Sequence, residues 1–288
     1  MRRLAVFGCG YTARRFVALH GADFDAVDVT TRSPEGVARL GAEGLNAHLF
    51  DGGPASPALA DAVKAATHVL VSAPPDAEGD PTLRGAGEAL QAANGLAWVG
   101  YLSTIGVYAD ADGGWVDETT EPQADSDRGA RRIAVEREWL AFGRERGVPV
   151  QIFRLAGIYG PGRNQIENLK AGTAKRLVKP GQVFNRIHVD DIAAALAAGI
   201  ARPDAGPIVN VADDEPAPPQ DVVAYAAGLL GIAPPPETAF ETADITPMAR
   251  SFYSSNKRVA NRVLRDELGV RLAYPTYREG MAALATGA

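Results

Sequence analysis

Leu4-Ala5-Val6-Phe7-Gly8-Cys9-Gly10-Tyr11-Thr12-Ala13 is the stretch that decides the fold. Its first four residues form a continuous apolar run closed by glycine, the pattern of a strand buried on both faces. Residues 11–20 then carry Phe16, Val17 and Leu19 at helical spacing, and Gly21 is a natural stop. A glycine turn between a buried strand and a helix presents free backbone N–H groups and the positive end of a helix dipole to an anion. Gly8 allows the tight turn, Gly10 lets backbone approach a pyrophosphate, and small Ala13 lets helix pack against strand. These residues, with Tyr11 and Thr12, are expected to hold a dinucleotide. The alternative is a turn that needs glycine for packing alone.

Working outward, the same alternation continues. Apolar strand patterns lie at 24–29, 45–50, 68–71, 97–102, 149–153 and 208–211. Helical patterns lie at 34–40, 58–66, 83–93, 129–146 and 191–201, with Ser33 placed to cap the first of these. Strands alternating with helices predict a Rossmann-type α/β fold, a doubly wound parallel sheet covered on both faces. After Arg154 the alternation breaks, and proline clusters at 216–219 and 234–236 interrupt regular structure. Residues 1–155 and 186–212 are therefore assigned to a dinucleotide-binding domain. Residues 156–185 and 213–288 are assigned to a smaller, partly discontinuous substrate lobe above the carboxyl ends of the strands. Residues 255–269 read as a capped helix of that lobe, with Asn256 at the cap.

Composition limits the function classes. The 288 residues carry a formal charge of −6, which argues against a nucleic-acid or membrane-surface partner. A single cysteine excludes a disulfide framework and disfavours a thiolate metal centre. The apolar runs are too short for a membrane span or a secretory leader. The expectation is a cytoplasmic protein acting on a small molecule.

Cofactor choice turns on the exit of the second strand, Val29-Thr30-Thr31-Arg32-Ser33. Thr31 and Arg32 are expected to meet a ribose 2′-phosphate, which favours NADP. A register slip would bring Asp28 to that place instead and favour NAD. Asp51, after the third strand, is placed to reach an adenine edge, and Ala73 and Pro74 to shape the passage of the nicotinamide ribose.

Leu102-Ser103-Thr104-Ile105-Gly106-Val107-Tyr108, Arg154-Leu155-Ala156-Gly157-Ile158-Tyr159-Gly160-Pro161-Gly162, Ile187-His188-Val189-Asp190-Asp191 and Asn210-Val211-Ala212-Asp213 follow one another in order. Together they resemble the motifs of extended short-chain dehydrogenases/reductases, the nucleotide-sugar epimerase/dehydratase group. The G-x-G-x-x-A spacing is closer to an atypical branch of that group. The resemblance implies a Tyr-x-x-x-Lys acid/base pair and a strand-five Ser or Thr that orients a substrate oxygen. Here Thr104 supplies the hydroxyl, whereas Arg128 stands at the tyrosine place and Arg132 at the lysine place. A guanidinium stays protonated and does not pass a proton as a phenol does. Tyr108 or Tyr159 would be a substitute phenol, or else a packing residue.

Tyr159, Arg163 and His188 are further candidates for substrate contact. His188 is alternatively structural, with Asp190 as a helix cap. Arg128, Arg131 and Arg132 either grip an anion or belong to a solvated helix paired through Glu136. Cys9 reads as a small neutral filler. The implied function is an NADP-dependent oxidoreductase or epimerase-like enzyme with a rearranged acid/base. A catalytically silent NADP-binding sensor is the alternative. The helices at 83–93 and 129–146 resemble the dimer faces of the family and imply a homodimer.

Overall fold

In the computed structural model, which describes residues 1–287, period-two alternation along the first strand organises both halves of the core. Strand β1 (Arg3–Phe7) sends Leu4 and Val6 to one face of the sheet, and Ala5 and Phe7 to the other. Strands β2 (Ala26–Thr31), β3 (Asn46–Leu49), β4 (His68–Val71), β5 (Trp98–Thr104), β6 (Val150–Leu155) and β7 (Ile208–Val211) complete a seven-stranded sheet. All neighbours are parallel, in the order β7-β6-β5-β4-β1-β2-β3. The chain therefore leaves β1 in one direction and returns to its other side at β4. That reversal opens a crevice at the carboxyl ends of β1 and β4, where such sheets bind ligands.

Helices α1 (Tyr11–His20), α2 (Pro34–Ala42), α3 (Pro57–Lys64), α4 (Pro81–Gln91), α5 (Asp127–Arg146) and α6 (Val189–Ala201) cover the sheet. Phe16 and Val17 of α1, Leu40 of α2, and Ile192 and Leu196 of α6 pack with Leu4, Val6 and Val29 on one face. Leu59 and Val63 of α3, Ala86 and Leu90 of α4, and Val135 and Trp139 of α5 cover Phe7, Val69 and Val99 on the other. Both faces are buried, as the continuous apolar strand patterns require. The α/β, doubly wound parallel architecture is thus the observed one.

Outside the sheet, Gly157–Tyr159 pairs with Arg186–His188, Arg176–Val178 with Glu237–Ala239, and Trp115–Val116 with Arg258–Val259. Helices Gln165–Lys170, Pro219–Leu229 and Tyr277–Thr286 gather around Ile166, Val222, Ala226, Tyr277 and Met281.

Several boundaries differ from the sequence expectation. Strand β2 starts at Ala26 rather than at 24, because Phe24 N–H is spent closing the turn at Gly21, 3.2 Å away. Helix α5 begins at Asp127, capped by the Ser126 hydroxyl. Residues 255–269 do not form a capped helix. Arg258–Val259 is a strand, and only a single π-helical turn, Val263–Glu267, follows. Asn256 caps nothing; it accepts from Val183 N–H at 3.1 Å and donates to the Gly181 carbonyl at 3.0 Å, tying two loops together.

Candidate active site

The turn after β1 is set by backbone. Gly8 has φ +84°, and a Cβ there would lie 2.8 Å from the Ala73 nitrogen. Its N–H donates to the Thr30 hydroxyl at 2.9 Å, and Cys9 N–H to the Thr30 carbonyl at 2.9 Å. Ser72 and Ala73 N–H groups both donate to the Phe7 carbonyl, at 2.8 and 2.9 Å, so the β4 exit is clamped against the same turn. Gly10 is the N-terminal cap of α1 and offers no side-chain hydrogen bond. It is exposed, and a Cβ on it would meet no atom within 4 Å.

The first N–H groups of α1 are therefore left for an external acceptor, and the space in front of Gly10 is open backbone. This cradle fits a dinucleotide pyrophosphate. Thr12 and Ala13 are buried against the sheet. Cys9 is also buried, which pushes its thiol pKa up to about 11, so it stays neutral at physiological pH.

At the β2 exit Thr31 is half-buried and Arg32 is exposed with no ion-pair partner among the described residues. Asp28 lies three residues deeper in the strand. It is buried, accepts from His48 Nε2 at 3.0 Å and from Asn46 Nδ2 at 2.5 Å, and faces β3. Asp51 is exposed and accepts from Gly53 N–H at 3.0 Å. Ala73 and Pro74 follow β4 at the crevice.

Thr104 ends β5, and its hydroxyl oxygen accepts from Gly106 N–H at 3.1 Å. Beneath it lies a buried polar chain that sequence reasoning missed. Ser103 donates to Glu136, and Arg154 grips Glu136 through Nη2 at 2.7 Å and Nε at 3.2 Å. Arg154 Nη1 also donates to the Tyr108 hydroxyl at 2.8 Å, which in turn donates to Asn210 Oδ1 at 2.9 Å. Glu136 therefore pairs with Arg154 inside the molecule, not with Arg132 on a solvated face. The signal available was Arg154 itself, a charge within a strand buried along its whole length.

Arg132 is buried too, donating to the Tyr101 hydroxyl at 3.0 Å and the Leu102 carbonyl at 2.7 Å. Both of those groups belong to β5, so its guanidinium is committed to the sheet. Arg128 and Arg131 are exposed on α5, whose early start places Arg128 and Arg132 on one helix.

Neither alternative phenol is free. Burial raises the pKa of Tyr108, and also that of Tyr159, whose hydroxyl donates to the Thr276 carbonyl at 3.4 Å. His188 is buried between Tyr159 and Tyr274, with ring centroids 5.2 and 3.9 Å away. Burial lowers its pKa to about 4, so it is neutral at physiological pH. It, and not Asp190, caps α6: Nδ1 accepts from Asp190 N–H at 3.2 Å. Asp190 instead accepts from Arg15 Nη2 of α1 at 2.9 Å. Tyr11 donates to the Pro161 carbonyl at 3.0 Å, and Arg163 lies over its ring at 5.9 Å, so the Gly160–Arg163 loop closes over the start of α1.

Comparison with known proteins agrees with this geometry. A conserved protein of unknown function from Silicibacter pomeroyi DSS is 48% identical, with a TM-score of 0.88 over 100% of this chain and 99% of that one. Protein YeeZ of Escherichia coli is 34% identical over 137 residues, 47% of each chain. A 3-diazoavenalumate denitrifying reductase of Streptomyces is 29% identical over 143 residues, 45% of each. The matched part spans about half the length of these two curated relatives. The NAD dependent epimerase/dehydratase family model matches residues 64–212, from the end of α3 to the end of β7. Taken with the glycine cradle and the parallel sheet that carries it, this match shows that the chain belongs to the NAD dependent epimerase/dehydratase family.

Proposed function

We propose that this protein is an NADP-dependent oxidoreductase of small molecules that works without a phenolic acid. The uncapped turn at Gly8–Ala13, with open space in front of Gly10, carries the reading. Arg32 favours NADP: it stands exposed at the β2 exit, where a guanidinium fork matches a phosphate. Asp28, the residue that would favour NAD, is taken up by Asn46 and His48. Gly8, Gly10, Tyr11, Thr12 and Ala13 would hold the pyrophosphate, Thr31 and Arg32 the 2′-phosphate, Asp51 the adenine edge, and Ala73 and Pro74 the nicotinamide side. A nicotinamide dinucleotide bound there supplies hydride exchange. Residues 156–185 and 213–288 would form the substrate lobe.

The chain's own groups then act as follows. Thr104 already accepts one hydrogen bond, so its O–H points onward as a donor that orients a substrate oxygen or nitrogen. Arg128 sets a fixed positive charge at the first turn of α5, able to stabilise developing negative charge but not to release a proton. Such a site suits a substrate whose reduced form takes its proton from water. The similarity to a protein named as a denitrifying reductase supports reduction over epimerisation. The loss of a free phenol supports a second reading, a silent NADP-binding sensor.

Titration with NADPH and NADH tests the shared premise. NADPH should bind at least ~10-fold tighter, a difference of about 1.4 kcal/mol that Arg32→Ala should abolish. Tighter NADH binding overturns the cofactor assignment. Turnover is then screened over aldehydes, ketones, diazo compounds and nucleotide sugars. A Thr104→Ala variant that keeps full kcat overturns the role of Thr104, and tight NADPH binding without turnover selects the sensor.

A further inference from the structure

A cavity of about 590 Å³ lies away from the glycine turn. It lies at the opposite edge of the sheet. The strand pair Trp115–Val116 and Arg258–Val259 leans on edge strand β7 there, through Glu118 accepting from Asn210 N–H at 3.0 Å and Asn210 Nδ2 donating to the Ala260 carbonyl at 3.1 Å. Strands β6, β5 and β4 separate this edge from β1. Most of its lining belongs to the 213–288 segment of the proposed substrate lobe, yet none of the residues given a cofactor or substrate role above lines it.

Its lining is chemically specific. Trp115 stands 62% exposed at the rim, whereas Trp98 and Trp139 are 1% and 0% exposed. A large indole left in water costs solvation unless something covers it. Arg265 is held in place by Asp214 through Oδ2, and Asp214 Oδ1 accepts from Asn261 Nδ2 at 2.7 Å. That triad is internally neutralised and fixed. Arg262 and Arg271 also line the cavity, are exposed, and have no carboxylate partner among the described residues. Asp266 is the remaining acid, so the wall carries an excess of guanidinium in a chain of net charge −6. The backbone that carries Arg265 is the π-helical turn Val263–Glu267, a rare geometry that is frequent at functional sites.

We infer that this cavity is a second ligand site, distinct from the dinucleotide crevice, and that it takes a planar aromatic anion, a ring bearing a phosphate or carboxylate. The ring would lie on Trp115, and the anionic group would meet the free guanidinium forks of Arg262 and Arg271. The volume falls within the range of about 300–1,000 Å³ usual for small-molecule sites.

The exposed indole provides the readout. Adenosine 5′-monophosphate is titrated against tryptophan emission, with and without saturating NADP⁺, alongside adenosine and inorganic phosphate. The expected result is a saturable quench by the nucleotide that persists in NADP⁺ and is absent from Trp115→Phe. The apparent Kd should rise by about tenfold or more in Arg262→Ala/Arg271→Ala, whose side chains are exposed and can be removed without unfolding the chain. Adenosine alone and phosphate alone should be weaker. No saturable quench up to roughly 10 mM, a quench abolished by NADP⁺, one unchanged in the double arginine variant, or equal binding of adenosine overturns the inference. Because NADP⁺ occupancy is varied independently, failure here is distinguishable from failure of the cofactor assignment.

Discussion

Two glycines two residues apart separate packing from binding, and the structure gives each its own expected outcome. A methyl group at Gly8 would lie 2.8 Å from the Ala73 nitrogen and 3.0 Å from its Cα, both backbone, on a residue with φ +84°. The left-handed backbone costs about 1–2 kcal/mol, and the overpacking against a clamped strand exit adds about 1–3 kcal/mol. Gly8→Ala is expected to lose about 2–5 kcal/mol of folding stability. Gly10 has φ −88° and a Cβ there touches nothing. Alanine is a poorer cap than glycine but freezes less unfolded-chain entropy, and these effects, each about 0.5–1 kcal/mol, nearly cancel. Gly10→Ala should therefore unfold at the wild-type denaturant midpoint. Its methyl would stand where the pyrophosphate approaches, so NADPH affinity should fall at least ~10-fold. Urea denaturation and a fluorescence titration on the same preparations read both quantities. Wild-type NADPH affinity in Gly10→Ala would refute the cradle and leave a turn shaped only for packing.

Glu136→Gln strands the buried Arg154 guanidinium and should cost about 3–5 kcal/mol, most of it recovered in Glu136→Leu/Arg154→Met, as denaturant midpoints will show. Tyr108→Phe should cost about 1–3 kcal/mol through its two lost hydrogen bonds, yet leave kcat unchanged; a large fall in kcat would make it the missing acid. Stability should pass through a maximum near pH 6.5. Burial raises the Asp213 pKa to about 8, so the folded state binds the extra proton and stability is lost as pH rises through that value. Buried His68 and His188, each lowered to about 4, act oppositely, because the unfolded chain takes up protons first as pH falls below about 6.5. The rise from pH 8 to 6.5 should amount to about 2 kcal/mol and vanish in Asp213→Asn.

What the chain states locally could be read from it. The Leu4–Phe7 run, the glycines after it and the cap at Ser33 depend on neighbours within a few residues, so they specify the crevice directly. The misread segments depend on distant partners. Arg258–Val259 is a strand because Trp115–Val116 lies beside it, and no periodicity within 255–269 encodes that partner. Along α5, Arg132, Glu136, Trp139 and Gly143 form the buried stripe. Two charges in that stripe imitate a solvent face, and only Arg154 and Tyr101 across the sheet reveal why they are buried. His188 was ambiguous for a related reason: its ring nitrogen does the work of an aspartate cap, which residue type alone does not announce.

The same buried chain bears on where a proton would come from. A phenol serves as an acid/base near neutrality only if a nearby cation lowers its pKa, and proximity alone is not enough. Tyr108 receives a hydrogen bond from Arg154, yet desolvation outweighs the charge and its pKa rises. Tyr11 lies under Arg163 and Tyr159 beside Arg186, and in both burial again wins. Arg132, which holds the lysine place, spends its donors on Tyr101 and Leu102 and so does not tune any phenol at the cleft. Thr104 is thereby left as a donor that orients without titrating. If reduction is the activity, its pH–rate profile should lack the limb of a catalytic phenol between pH 6 and 9. Converting Arg128 to tyrosine alone should not create one, because the cation that would lower that phenol's pKa is turned into the sheet.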